Sequence, residues 1–95
     1  MKIYKDVSPA ELEEEMVCVR NEHTRQTQKW GLQSRSLFEW LTYLTEEVGE
    51  LAKEVSEQEY RHGSASDLAK EAIQIAALAT RISAIVKQNS VEMEI

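Results

Sequence analysis

The chain is poor in the residues that stiffen, cross-link or break a polypeptide. It has one cysteine, one proline, three glycines and six aromatic residues in 95 positions. Cys18 alone cannot close an internal disulfide. It lies beside the apolar stripe of a helical segment with no base placed to activate it, so it reads as a small packing residue. Positive charge is also scarce: 11 Lys and Arg face 17 Asp and Glu, a net charge of −6. That balance argues against a nucleic-acid polymer as partner, because such binders carry a basic face. The longest apolar-rich run, AIQIAALATRISAIV at 72–86, is interrupted by Gln74 and Arg81. It is shorter than the ~20 residues of a membrane-spanning helix. The N-terminal stretch lacks the continuous apolar core of a secretory leader. The expectation is a single cytoplasmic domain over 1–95, with no membrane partner. At this length a lone core is modest, and association between copies often completes it.

With little Gly or Pro and no alternating apolar pattern, the segments read as helices joined by short connections, an all-α bundle. SPAE, from Ser8 to Glu11, has an N-cap serine, a proline in the first turn and a glutamate at the capping-box position. SLFE, from Ser36 to Glu39, is a second such box, and Ser64 or Ser66 caps a third segment with Asp67 in its first turn. The expected helices cover about 9–29, 37–60 and 67–87, leaving a frayed or docked tail at 88–95. Four-three spacing gives the second helix a stripe of Leu37, Leu41, Leu44, Val48, Leu51 and Val55. On the third helix it gives Leu68, Ala72, Ile75, Ala79, Ile82 and Val86. These two stripes are expected to pack together. On the first helix the same spacing gives Leu12, Met16, Val19, His23, Gln26 and Trp30. That stripe begins apolar and turns polar, either because the helix leaves the core or because Gln26 and Trp30 line a pocket.

One stretch runs against helix economy. TEEVGELAKEVSE, Thr45 to Glu57, holds five glutamates and one lysine around Gly49. Like charges three or four apart on a helix repel, and an interior glycine costs about 1 kcal/mol relative to alanine. Counting about 100° per residue from Leu44 puts Glu47 at the edge of the apolar stripe, Glu54 beside it, Glu50 further round and Glu46 well outside. Counted from Ile75, Glu71 is at the stripe's edge on the third helix, with Asp67, Gln74 and Leu78 along the same flank. In an antiparallel pair these flanks face one another. The oxygen-rich site that results suits a hard cation such as Mg²⁺, while a solvated acidic face is the competing reading.

EEVGE, Glu46 to Glu50, followed by EAIQ, Glu71 to Gln74, resembles the paired E-E-x-x-E and E-x-x-D motif of the MazG-like, all-α nucleoside triphosphate pyrophosphohydrolases. RQTQKWGLQ, Arg25 to Gln33, is similar to the Arg/Gln and Lys-Trp-Gly segment upstream of that motif in small members. The likeness covers about 22–85. It implies hydrolysis of the α–β phosphoanhydride of a nucleoside triphosphate, with Mg²⁺ or in its place Mn²⁺ as cofactor. By carry-over Glu47, Glu50 and Glu71 are the metal ligands and Gln74 stands at the fourth position, where the family has aspartate. Glu46, Glu47 and Glu50 form the catalytic group, Glu46 orienting water from outside the ligand set. Gln26, Lys29, Trp30, Gln33 and Lys53 are the candidate substrate contacts, with Trp30 stacking on a base. Arg35 and Lys70 are further cations for phosphate. The resemblance also implies a homodimer or homotetramer, and Gly49, opposite the leucine stripe, suits the close approach of another helix.

Two other readings compete. Glu59 and His62 have the E-x-x-H spacing of di-iron bundles, which need two such pairs and two further glutamates; one chain supplies one pair. The stronger alternative is a family member that binds nucleotide or a protein partner without turnover, an idea supported by Gln74.

Overall fold

The computed structural model describes residues 2–93, with side chains through residue 90. Its helices begin where side chains satisfy the open backbone donors of a first turn. At Ser36 the exchange is reciprocal. Ser36 Oγ accepts from the Glu39 N–H at 3.2 Å, and the Ser36 N–H donates to Glu39 Oε1 at 3.1 Å. Helix α2, Leu37–Tyr60, follows. Ahead of α1, Glu11 Oε1 accepts from the Ser8 N–H at 3.1 Å and its hydroxyl at 2.9 Å. The turn this opens, Pro9–Leu12, is 3-10, and α1 itself spans Glu13–Trp30. Gly31 stops α1 at φ 74° while donating to the Thr27 carbonyl at 2.7 Å. Ser64, the first of the two candidate serines, caps α3 by accepting from the Asp67 N–H at 3.2 Å.

Helix α3 spans Ala65–Met93 and so runs past the expected end near Lys87. Residues 88–93 contain no Gly or Pro to halt it, and Asn89 Nδ2 donates back to the Ile85 carbonyl at 2.8 Å. The expected irregular tail is therefore helical over 88–93, and its last two positions lie outside the described residues.

Helix α3 is the central element. It packs on α1 along one side and on α2 along another, whereas α1 and α2 do not pack on each other among the described residues. Ala77 is fully buried, and Val19 of α1, Trp40 of α2 and Leu78 of α3 complete the small core. The face that α2 turns to α3 is rotated from the expected stripe. Trp40, Leu44, Glu47, Leu51, Glu54 and Gln58 are buried or half-buried, while Leu37, Leu41, Val48 and Val55 are exposed. The apolar arc of α2 is wider than one neighbour can cover, and α3 covers the side that carries Glu47. On α3, Leu68, Ile75 and Ile82 turn inward as expected, and Ala72, Ala79 and Val86 do not. The Cα radius of gyration is 15.7 Å, against about 12 Å for a compact chain of this length. Much apolar surface thus remains outside the core.

The turn between α2 and α3 is tight. His62 takes a left-handed conformation at φ 58°, and the Gly63 N–H reaches back to the Glu57 carbonyl at 2.9 Å. A Cβ on Gly63 would stand 2.9 Å from the Glu57 carbonyl carbon, closer than van der Waals packing permits. Gly63→Ala is expected to lower stability by about 1 kcal/mol or more. His62→Gly, which relieves the left-handed penalty, is expected to raise it by about 1 kcal/mol. Urea unfolding at one fixed protein concentration checks the order of the three chains.

Candidate functional site

The antiparallel run of α2 and α3 brings the two glutamate flanks together. Glu47 and Glu71 are both half-buried, and their carboxyl groups lie close enough for one, when protonated, to bond the other. Two carboxylates cannot share a site while both are ionised. Burial pushes the Glu71 carboxyl up to about 7, helped by the hydrogen bond its protonated form can donate to Glu47 and by the charges of Glu47, Glu50 and Glu54. Glu71 Oε2 is buried with no hydrogen-bond partner, an acceptor withdrawn from water that nothing in the protein compensates. Glu50 and Glu54 act on it through charge. Among the described residues no three such side chains close into a ready ligand set. The pair nonetheless fits a hard divalent cation in kind, since it offers apposed carboxylate oxygens, one of them buried and unsatisfied.

Above this pair, the gap between α1 and α2 over the face of α3 forms a cavity of about 690 Å³. Its walls differ in charge. Glu46 and Glu47 stand on one side, and Arg25, Lys29, Arg35, Lys70 and Arg81 surround the rest. Arg25 is held by Glu22 through two bonds, Nε to Oε1 at 2.9 Å and Nη2 to Oε2 at 2.8 Å. Gln26 Nε2 donates to the same carboxylate at 2.8 Å. The Arg25 bond, more than any other contact, holds the Glu22 carboxyl below its usual range, and Gln26 adds to this. This clamp fixes two cavity side chains on α1. Lys29 Nζ lies 4.7 Å from the Trp30 ring centroid, and the Arg35 guanidinium 5.2 Å from that of Tyr43. Trp40 and Tyr43 meet edge to face with centroids 6.2 Å apart. The cavity therefore joins a carboxylate pair, cations and aromatic faces, an arrangement able to take a flat ring with an anionic tail.

Most of the expected site residues are gathered here. Gln26, Lys29, Trp30, Gln33, Glu46, Glu47 and Gln74 line the cavity, and so do the further cations Arg35 and Lys70. Glu71 lies at its edge through Glu47. The order of exposure among the glutamates follows the angular count, Glu47 and Glu54 half-buried and Glu46 and Glu50 exposed. Glu50 contributes by charge alone, and Lys53 is exposed and outside the cavity walls. Asp67, placed on the Glu71 flank, is exposed and does not line the cavity. His62 occupies the exposed turn.

Arg25, Trp40, Tyr43 and Arg81 line the cavity and were not among the expected contacts, whereas Leu78 lines it from the flank of Glu71 where the angular count put it. The signal for two of them is present in the spacing. Trp40 stands seven residues before Glu47, and Arg81 seven after Gln74. A seven-residue step returns to nearly the same helix face, so each shares a flank with a candidate ligand.

The coupling of charge to burial has a pH consequence. Glu71 binds its proton more tightly in the folded chain, near 7, than at the ordinary value of 4.5. The folded state thus holds the extra proton between these pH values, and stability falls as pH rises through that window, then levels off. Glu71→Gln keeps a neutral group there and is expected to abolish this part of the fall. The variant should exceed the native chain in stability at pH 8 and approach it at pH 4.5, as read from urea midpoints.

Compared with protein-family models, with curated proteins and with solved structures, the chain matches none.

Proposed function

We propose that the chain is a MazG-like nucleoside triphosphate pyrophosphohydrolase, adding water across the α–β phosphoanhydride to give the monophosphate and pyrophosphate. The observation that carries this reading is the half-buried, apposed Glu47 and Glu71 pair at the edge of a cavity lined by cations and aromatic rings. Glu47, Glu50, Glu71 and Gln74 would hold Mg²⁺, with Mn²⁺ as a substitute. When bound, the cation offsets phosphate charge and makes water a better nucleophile. Glu46, at the cavity wall and outside the ligand set, would orient the attacking water and accept its proton. Arg25, Lys29 and Lys70 receive the phosphates. Trp30 offers a face for the base, and Gln26 and Gln33 offer amides to its edge. Lys53, turned to solvent, has no part in this arrangement.

Gln74 favours a second reading, a binding protein with little turnover, because a neutral carbonyl oxygen replaces a carboxylate where the family motif has aspartate. Release of pyrophosphate and monophosphate from a panel of nucleoside triphosphates, with Mg²⁺ or Mn²⁺, separates the two. For the enzyme, metal-dependent release is expected, reduced more than ~100-fold in Glu47→Ala and raised in Gln74→Asp. Nucleotide binding without release from either the native chain or Gln74→Asp would select the binding protein.

Association of copies belongs to the same proposal. Leu41 and Val48 are 53% and 48% exposed on α2, and nothing comes within 4 Å of a Cβ position on Gly49. A partner helix on the arc of Leu41 and Val48 would cover the part of the α2 face that α3 leaves exposed, giving a homodimer or homotetramer. Sedimentation should show such an assembly for the native chain and a shift to monomer for Val48→Asp. A native monomer at micromolar concentration would contradict it.

A further inference from the structure

Among the described residues, three ion pairs join side chains one turn apart on a helix or at its end. In two of them the carboxylate is open to water. Glu39 is 53% exposed, with Arg35 Nη1 at 3.4 Å, and Glu57 is 38% exposed, with Arg61 Nη1 at 4.0 Å. Pairs of this kind contribute little to stability. The Glu22 side chain is 11% exposed and accepts three bonds, Arg25 Nε on Oε1, and Arg25 Nη2 and Gln26 Nε2 on Oε2. Withdrawing a carboxylate from water is costly, and a pair serving the helix alone gains nothing by it. Arg25, then Gln26 and the charge of Lys70 on α3, outweigh that cost and keep Glu22 ionised. All three of these partners line the cavity, and Glu22 itself does not.

The way Arg25 is held decides what it can still bind. A guanidinium has five N–H donors and can grip an anion by two parallel bonds on either of two edges, one formed by Nε with a terminal nitrogen, the other by both terminal nitrogens. Glu22 occupies the first edge, at 2.9 and 2.8 Å. Nη1 and the remaining Nη2 proton form the second, and the side chain is 49% exposed at the cavity wall. A free arginine gives up rotamer freedom when it binds. This one is ordered beforehand, which lowers the cost of binding. Its open edge matches two oxygens of a phosphate.

We propose that Glu22 is a positioning residue for the nucleotide: held by its inner edge, Arg25 grips one phosphate of the triphosphate in two parallel bonds through its outer edge. The assignment rests on the nucleotide reading of the cavity and adds to it a residue behind the cavity wall. Glu22 touches neither substrate nor cation. The grip on phosphate is the same before and during hydrolysis, so its loss raises KM and leaves kcat near the native value.

The test is calorimetric binding, with Mg²⁺, of inorganic tripolyphosphate and of the α,β-methylene analogues of ATP, GTP, CTP and UTP. The chains compared are the native one, Glu22→Gln, Arg25→Lys, Arg25→Met and the double variant of Glu22→Gln with Arg25→Met, with helicity and urea midpoints recorded for each. Glu22→Gln should bind the preferred analogue about tenfold more weakly, and tripolyphosphate by the same factor, because the lost grip is on phosphate. The double variant should bind tripolyphosphate no more weakly than Arg25→Met does, because Glu22 acts on phosphate only through Arg25. Arg25→Lys keeps the charge and loses the outer edge, and it should fall as Glu22→Gln does, a result that stands even where Glu22→Gln fails to fold. Where the native chain turns over, the loss should appear in KM. Unchanged tripolyphosphate binding in Glu22→Gln or Arg25→Lys, losses from Glu22 and Arg25 that add, or a loss confined to kcat would overturn the positioning role and leave the nucleotide site standing. A native chain that binds none of the analogues would overturn the site and this assignment together.

Discussion

The half-buried Glu71 carboxyl, one oxygen of it cut off from water, faces that of Glu47 in a seam that helix packing would otherwise fill with leucine or valine. Burial disfavours ionisation, and the neighbouring carboxylates oppose it further, so the pair keeps a proton near neutral pH. An unsatisfied oxygen remains in the seam. Helix association built on apolar contact alone would not choose this face of α2, because turning the helix towards Leu41, Val48 and Val55 would bury carbon in place of carboxylate. The face actually used exposes those residues. Stability is thus given up at two places at once, in the carboxyl pair and in the apolar arc left outside. A cation at the first and a second copy at the second would recover both, and the two proposals support one another for that reason.

The cavity follows from the same constraint. With α2 turned to bring Glu47 onto α3, Trp40 and Tyr43, two turns and one turn earlier, face the gap beside α1. The polar second half of α1 meets them there with Gln26 and Lys29 rather than with a core stripe. Glu22, fixing Arg25 and Gln26 through a shared carboxylate, gives this wall its shape before any ligand arrives. Thr27, reached by Arg81 from α3, ties the two walls together. The molecule is therefore organised as one central helix with two flanking helices that hold a space open between them.

Much of this was legible in the sequence, for identifiable reasons. Caps carry their own chemistry, so the start of α2 at Leu37 and the serine box before α1 could be read directly. The relative depth of Glu46, Glu47, Glu50 and Glu54 followed from angle counting, since rotation along a helix is insensitive to what it packs against. The seam itself was not legible. Both arcs beside Leu44 are plausible cores, and the apolar one was the natural choice until the carboxylates on the other flank are required to meet Glu71. The end of α3 was missed because a polar segment without Gly or Pro carries no stop signal. Trp40 carried no expectation and Arg81 read as an interruption of an apolar run, although each lies one heptad from a candidate ligand.

The proposed exchange of a proton for a cation between Glu47 and Glu71 is tested most directly by Mn²⁺ binding to the native chain. Calorimetry in buffers of different ionisation enthalpy, at pH 6 and pH 8.5, counts the protons released. Expected is a Mn²⁺ site that releases about one proton at pH 6 and almost none at pH 8.5, tighter at the higher pH. No binding at either pH, or binding whose affinity and proton release ignore the change across neutrality, would contradict the assignment of the pair as a cation site.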